Sequence, residues 1–287
     1  MTLRLGRHPF SDDATLMMAI VNRTPDSFYD RGATYAEDAA FERVAQVVGE
    51  GAEIVDIGGV RSGYGEQVAA AEEIRRVVPF VAWVREQHPG VVISVDTWRS
   101  EVAREVCAAG ADLLNDAWGG HDPRLVEVAA EFDAAIICTH TGGLPPRTDP
   151  YRIEYDDVVA AAIAETTALA ERALAAGVAR ESIVIDPAHD FGKNTFHSLE
   201  VTRRLGEMVA TGWPVLVSLS NKDFVGETLG APMQQRLTGT LAATSVCALA
   251  GARIYRVHQV PETRATVDMV WSIAGRRPPL RAIRGLQ

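Results

Sequence analysis

The sequence is short of cysteine, of long apolar runs and of positive charge, and each shortage excludes a class of protein. Its three cysteines are Cys107, Cys138 and Cys247. An odd number without metal-like spacing argues against a disulfide framework and a thiolate metal centre. Small buried hydrophobes are the expected reading. No run approaches the roughly 18–20 apolar residues of a membrane-spanning helix. The opening MTLRLGRHPFSDD also lacks the apolar segment of a secretory signal. A cytoplasmic protein without a membrane partner is expected. Lys plus Arg number 28 against 38 Asp plus Glu, a formal net charge of −10. Such a chain repels phosphate backbones, so no nucleic-acid partner is expected. An anionic substrate would need a local concentration of positive charge. Two nucleotide signatures are missing as well. NRTPDS after the first apolar run is not a glycine fingerprint, and DFGKNT (190–195) lacks the upstream glycine and the Ser/Thr of a Walker loop.

What is present is an ordinary globular composition, 47% hydrophobic and 23% charged. Short apolar runs recur at 16–21, 53–57, 91–95, 112–115, 134–138, 183–186, 215–219 and 253–257. Most are rich in Val and Ile and apolar on both faces, as strands of a covered parallel sheet are. Between them lie helical segments, expected over 35–51, 69–87, 100–109, 123–131, 156–176, 197–210, 232–250 and 261–274. Ile74, Val77, Val78, Val81 and Val84 show the helical spacing. Eight strand–helix units without a composition break predict an α/β fold, a single (β/α)8 TIM barrel over 1–275. A basic tail, 276–287, follows it.

Barrel sites form at the C-terminal ends of the strands. Asn22, Asp56, Asp96, Asn115 with Asp116, His140, Asp186, Ser220 with Lys222, and Arg256 with His258 follow the eight runs. Asp96, Asn115 and Asp186 offer acceptors and one donor pair suited to a planar heterocycle with amide-like groups, and Lys222 can donate to its acceptor atoms. Asn22, Arg256 and His258 belong to the first and last runs, neighbours in a closed barrel. They suit an anion, with the Asn22 oxygen able to ligate Mg²⁺. The alternative for Arg256 and His258 is an ion pair with a carboxylate of the first strand. His140 and His189 lack metal-ligand spacing, so zinc is not expected.

The segments IVNRTPDSF (20–28), DIGG (56–59), SVDT (94–97), GADLLND (110–116), DPAHDFGK (186–193), SNK (220–222) and RVH (256–258) resemble, in order and spacing, the dihydropteroate synthase family. That resemblance implies condensation of 6-hydroxymethyl-dihydropterin diphosphate with p-aminobenzoate, releasing diphosphate with Mg²⁺ present. It implies Asp96, Asn115, Asp186 and Lys222 on the pterin, and Asn22, Arg256 and His258 on the diphosphate. Ser220 would take the aminobenzoate carboxylate, with Phe28 and Ser62 in the loops around the amine. A two-fold homodimer is also implied.

One loop departs from the family pattern Asp-x-Gly-Gly-Glu-Ser-Thr-Arg-Pro-Gly. Here Val60, Arg61, Ser62, Gly63 and Tyr64 follow the two glycines, so the arginine becomes Gly63 and the proline Tyr64. A lost charge-assisted contact is commonly worth about 1.5–3 kcal/mol, and ordering a looser loop costs roughly 1–2 kcal/mol per residue newly fixed. Arg61 reaching the same anion, or Tyr64 stacking on an aromatic ring, would offset part of this. Arg23, Arg31, Ala188, His189, Asp190 and Asn221 are further departures. The expectation is a retained pterin diphosphate site with an eroded p-aminobenzoate loop and a weak or absent family reaction. The alternatives are a working synthase, a non-catalytic pterin-binding protein, and a pterin-binding barrel that transfers methyl groups to a corrinoid.

Overall fold

The computed structural model describes residues 2–23, 37–60, 63, 65, 67–148 and 153–285. The chain opens with an antiparallel hairpin, β1 (Leu3–Leu5) and β2 (His8–Phe10), which the sequence pattern did not announce. Eight strands follow: β3 (Leu16–Asn22), β4 (Ile54–Gly58), β5 (Val92–Asp96), β6 (Leu113–Asp116), β7 (Ala135–Thr139), β8 (Ile183–Asp186), β9 (Leu216–Val217) and β10 (Ile254–Val257). They form one parallel sheet in the order β8-β7-β6-β5-β4-β3-β10-β9. A parallel bridge between Ile185 and Val215 joins the two ends, with the Ile185 amide donating to the Pro214 carbonyl at 2.9 Å. The result is the expected (β/α)8 barrel.

The helices are α1 (Glu37–Gly49), α2 (Ala70–Gln87), α3 (Ser100–Ala108), α4 (Leu125–Glu131), α5 (Val158–Ala175), α6 (Thr195–Arg203), α7 (Leu205–Val209), α8 (Asp223–Leu229), α9 (Leu237–Ala250) and α10 (Val260–Ile273). The single helix expected over 197–210 is two, because Arg204 leaves helical geometry at φ −103°, ψ 15°. The short α8 lies between the run at 215–219 and the helix expected over 232–250, where no element was expected. Among the described residues no helix is long and apolar enough to cross a membrane. Beyond α10, residues 274–285 carry neither helix nor strand.

Strand side chains alternate with period two, and that alternation sorts the core. Met17, Ala19, Val55, Ile57, Ile93 and Val95 face the helices in one apolar layer. Leu16, Met18, Ile54, Val92, Leu113, Ile137, Val184, Leu216 and Ile254 fill the barrel interior. Leu3 and Leu5 join this interior cluster, so the hairpin plugs the barrel's lower end. Two residues further along seven of the eight strands the same inward face turns polar: Asp56, Ser94, Asn115, Thr139, Asp186, Ser218 and Arg256; β3 keeps Ile20 at that level and turns polar only at Asn22. That change of chemistry at constant phase creates the site.

Candidate active site

The polar layer is held together by charge. Asp56 is fully buried. It accepts from Ser94 Oγ at 2.7 Å and from Arg256 Nε at 2.6 Å, while the Asn115 amide lies 3.4 Å from both its oxygens. Arg256 also donates to Asp96 Oδ2 at 3.3 Å. Its carboxylate partners therefore lie on β4 and β5, not on the first barrel strand. An Arg shared between two carboxylates fixes the planes of all three groups.

Across the mouth, Asp186 accepts the Ala188 amide at 2.7 Å, and burial raises its pKa despite that bond and the cations Lys222 and Lys193. Lys222 donates to the His189 carbonyl and lies 4.7 Å from the centre of the Phe191 ring. Burial lowers its pKa, opposed by Asp190 and Asp186. Asp96, Asn115, Asp186, Lys222 and Arg256 line one open mouth, together with Ala117, Thr139, Ala188, Phe191 and Ser218. Acceptors, two cations and an aromatic ring around one opening can hold a flat, polar heterocycle.

At the rim, His258 Nδ1 and Ser220 Oγ are 2.9 Å apart, and the hydroxyl also accepts the His258 amide at 3.2 Å and donates to Gln259 Oε1 at 3.3 Å. Burial, then the neighbouring Arg256 and Arg43, push the His258 pKa down to about 3. His258 is thus a neutral hydrogen-bonding group at pH 7, not a positive one. Asn22 ends β3 with its Oδ1 near Gly58; a Cβ built on Gly58 would come within 3.4 Å of that oxygen and 3.9 Å of Asp96 Cβ. Among the described residues no group of three His, Cys, Asp or Glu side chains forms a metal cluster. A lone carboxamide oxygen at the rim still fits Mg²⁺, which keeps several waters and completes its shell with substrate phosphates. Phe28 and Ser62, with Arg31, Arg61 and Tyr64, lie outside the described residues.

Register corrects two strand-end assignments. His140 and Asp116 each fall one position past the inward-facing residue, so they turn away from the mouth. His140 Nδ1 instead meets Lys193 Nζ at 2.6 Å, and Asp116 accepts the Trp118 and Gly120 amides at 3.3 and 2.7 Å. The inward residue of β7 is Thr139, two positions past inward-facing Ile137, and it is absent from the strand-end set expected from the sequence. Phe191 was also missed, since its place depends on a loop. Arg23 lies behind the barrel wall, 4.9 Å from the Phe80 ring centre in α2. Trp98 and Trp118 pack edge-on with ring centres 6.3 Å apart. Trp118 meets Phe191 at 5.9 Å in the same way. These aromatics and Val60 form a small apolar cluster beside the start of the divergent loop.

Ala188, Asp190 and Asn221 adopt left-handed backbone conformations, with φ of 50°, 68° and 58°. Ala188 and Asp190 stand where the family pattern has glycine, and the backbone has kept the glycine geometry.

An inward polar layer of this composition, at the C-terminal mouth of an eight-stranded barrel, defines the class of pterin-binding barrel enzymes. The chain belongs to that family: the family model "Pterin binding enzyme" matches residues 18–258. Among its relatives, the Mycobacterium tuberculosis protein named "Inactive dihydropteroate synthase 2" is 58% identical over 282 residues, covering 97% of this chain and 89% of the relative. The Mycobacterium leprae protein of the same name is 57% identical, covering 97% of both. The solved Yersinia pestis dihydropteroate synthase, in complex with a sulfonamide drug, superposes with a TM-score of 0.90 at 33% identity, over 96% of this chain and 100% of that one. The protein is thus a dihydropteroate synthase-like barrel.

Proposed function

We propose that this chain binds 6-hydroxymethyl-7,8-dihydropterin diphosphate in the barrel mouth and makes dihydropteroate slowly or not at all. The observation that carries the reading is the convergence of Asp96, Asn115, Asp186, Lys222 and Arg256 on one cavity. The Asp and Asn oxygens suit the ring's N–H groups, and Lys222 its acceptors. Asn22, Arg256 and His258 would take the diphosphate, with Arg256 supplying the charge and neutral His258 a hydrogen bond. A bound Mg²⁺, held by Asn22 and the phosphate oxygens, would neutralise charge on the leaving group.

In the family reaction the C–O bond to diphosphate breaks, the amine nitrogen forms a C–N bond to the exocyclic carbon, and the nitrogen's proton passes to solvent. No general base is needed, since an aniline nitrogen is neutral at pH 7. Ser220 would meet the aminobenzoate carboxylate. What this chain lacks is the arginine that Gly63 replaces, on the amine side, and the two mycobacterial relatives named inactive support the same reading.

Calorimetry with the pterin diphosphate and Mg²⁺ tests the retained half: heat of binding is expected, and none at millimolar ligand rejects it. Expression in a synthase-deficient strain tests the lost half. Failure to restore growth is expected, and growth at normal expression would establish a working synthase instead. The barrel over 1–275 carries this chemistry, with 276–287 as an accessory tail. We also assign a cytoplasmic homodimer, built on the exposed apolar residues Val246 and Leu249 of α9 and Met269 and Ile273 of α10.

A further inference from the structure

Among the described residues, the Thr139 hydroxyl of the inward polar layer is buried without a hydrogen-bond partner. Only 4% of the residue is exposed, and its Oγ1 meets no donor or acceptor. Its neighbours in the layer are engaged: Ser94 donates to Asp56, Asn115 lies against the same carboxylate, and Arg256 joins Asp56 to Asp96. Thr139 ends β7 directly beside Asp186 of β8, and both line the cavity. Three of the other lining side chains, Ala117, Ala188 and Ser218, are small.

A buried hydroxyl left unsatisfied is costly, and such groups in native proteins usually have a purpose. Position here supplies one. Rotation about χ1 exchanges a threonine's methyl and hydroxyl between the wall and the cavity, so the group can be turned toward a ligand that offers it a partner. We propose that the Thr139 hydroxyl is a specificity-determining contact. On this view it hydrogen-bonds a heteroatom on the same ring edge that Asp186 holds, and the pocket thereby prefers a heterocycle polar along that edge. The assignment rests on the pterin reading above. A hydroxyl can donate or accept, whereas Asp186 when ionised only accepts, so the pair can match an edge with N–H and a lone pair side by side.

The test is isosteric. Thr139→Val keeps the shape and removes the hydroxyl; Thr139→Ser keeps the hydroxyl. Affinity for 6-hydroxymethyl-7,8-dihydropterin, measured by calorimetry, is expected to fall about tenfold in Thr139→Val and to stay within about threefold in Thr139→Ser, the scale of a lost hydrogen bond in a buried site. The ligand-free Thr139→Val protein is expected to melt at the same temperature or higher, because an unsatisfied polar group has gone. A purely structural hydroxyl would give the opposite pair, a lower melting temperature with unchanged affinity, and that pair overturns the proposal. Equal loss in both variants also overturns it, by making the methyl the contact. No binding by the unsubstituted chain overturns the pterin reading and this assignment together, whereas binding that Thr139→Val leaves intact overturns this assignment alone.

Discussion

Two residues between β8 and α6 show how a side chain can replace a glycine at opposite net cost. Ala188 and Asp190 both hold positive φ, a conformation costing an L-residue about 1–2 kcal/mol. Ala188 has only a buried methyl to offset this, so Ala188→Gly is expected to stabilise the fold by up to about 1 kcal/mol in urea denaturation. Asp190 does have an offset. Its carboxylate accepts the Asp223 and Phe224 amides at 2.7 and 3.3 Å and the Ser198 hydroxyl at 3.1 Å, capping α8 from another loop. Asp190→Gly orphans these donors and is expected to destabilise by about 1–2 kcal/mol despite the relieved backbone. Variants that shifted stability in the same direction would refute this reading. At this scale the sequence was legible where chemistry alone decides. Asp56, Asp96, Asn115, Asp186 and Arg256 are charged or amide groups that interrupt apolar runs. Thr139 was not legible, because AAIIC gives no alternation from which to fix the inward phase and His140 beside it looked the better candidate.

At the scale of elements, Lys193 fastens the segment between β8 and α6 to the end of β7. Its Nζ reaches His140 Nδ1 at 2.6 Å, the Phe191 carbonyl at 2.9 Å and the Ala188 carbonyl at 3.2 Å, so it positions two residues of the cavity wall. Burial lowers its pKa from the ordinary 10.5 to about 7. Between those values the unfolded chain binds a proton that the folded chain has released, so this group makes stability rise with pH through that window. From pH 7 to pH 9 the intact chain is expected to gain stability relative to Lys193→Met. Parallel urea-midpoint profiles would contradict it. The β4–α2 connection gives the complementary prediction for activity. Restoring the family residues with Gly63→Arg and Tyr64→Pro is expected to raise dihydropteroate formation by a hundredfold or more, if the lost contact and looser loop account for the deficit. Turnover unchanged by the double substitution would place the defect elsewhere. Most elements were readable because doubly covered strands are continuous apolar runs and helices carry period 3.6. The hairpin was too short, with three residues per strand, and α8 is a single Gly-containing stretch whose cap comes from a distant loop.

At the scale of the molecule, α9 and α10 leave apolar side chains open to solvent. Val246, Leu249, Met269 and Ile273 are between 47% and 71% exposed on α9 and α10, helices that pack together. Neighbouring exposed aliphatics of this kind commonly mark a subunit interface. Leu249→Glu with Ile273→Glu is expected to shift the protein from dimer to monomer in sedimentation velocity without altering its circular dichroism. A monomeric unsubstituted protein would remove the assignment. The closed architecture was predictable from eight repeats of one unit. The barrel's lower closure was not, since it depends on partners remote in sequence. Leu3 and Leu5 enter the interior cluster, Arg7 Nε pairs with Asp112 at 3.0 Å, and Arg4 pairs with Asp133 at 2.7 Å. Those acids emerge from the ribosome more than a hundred residues after the arginines that meet them. The first part of the polypeptide to be synthesised must therefore wait, undocked, until nearly half of the chain has been made.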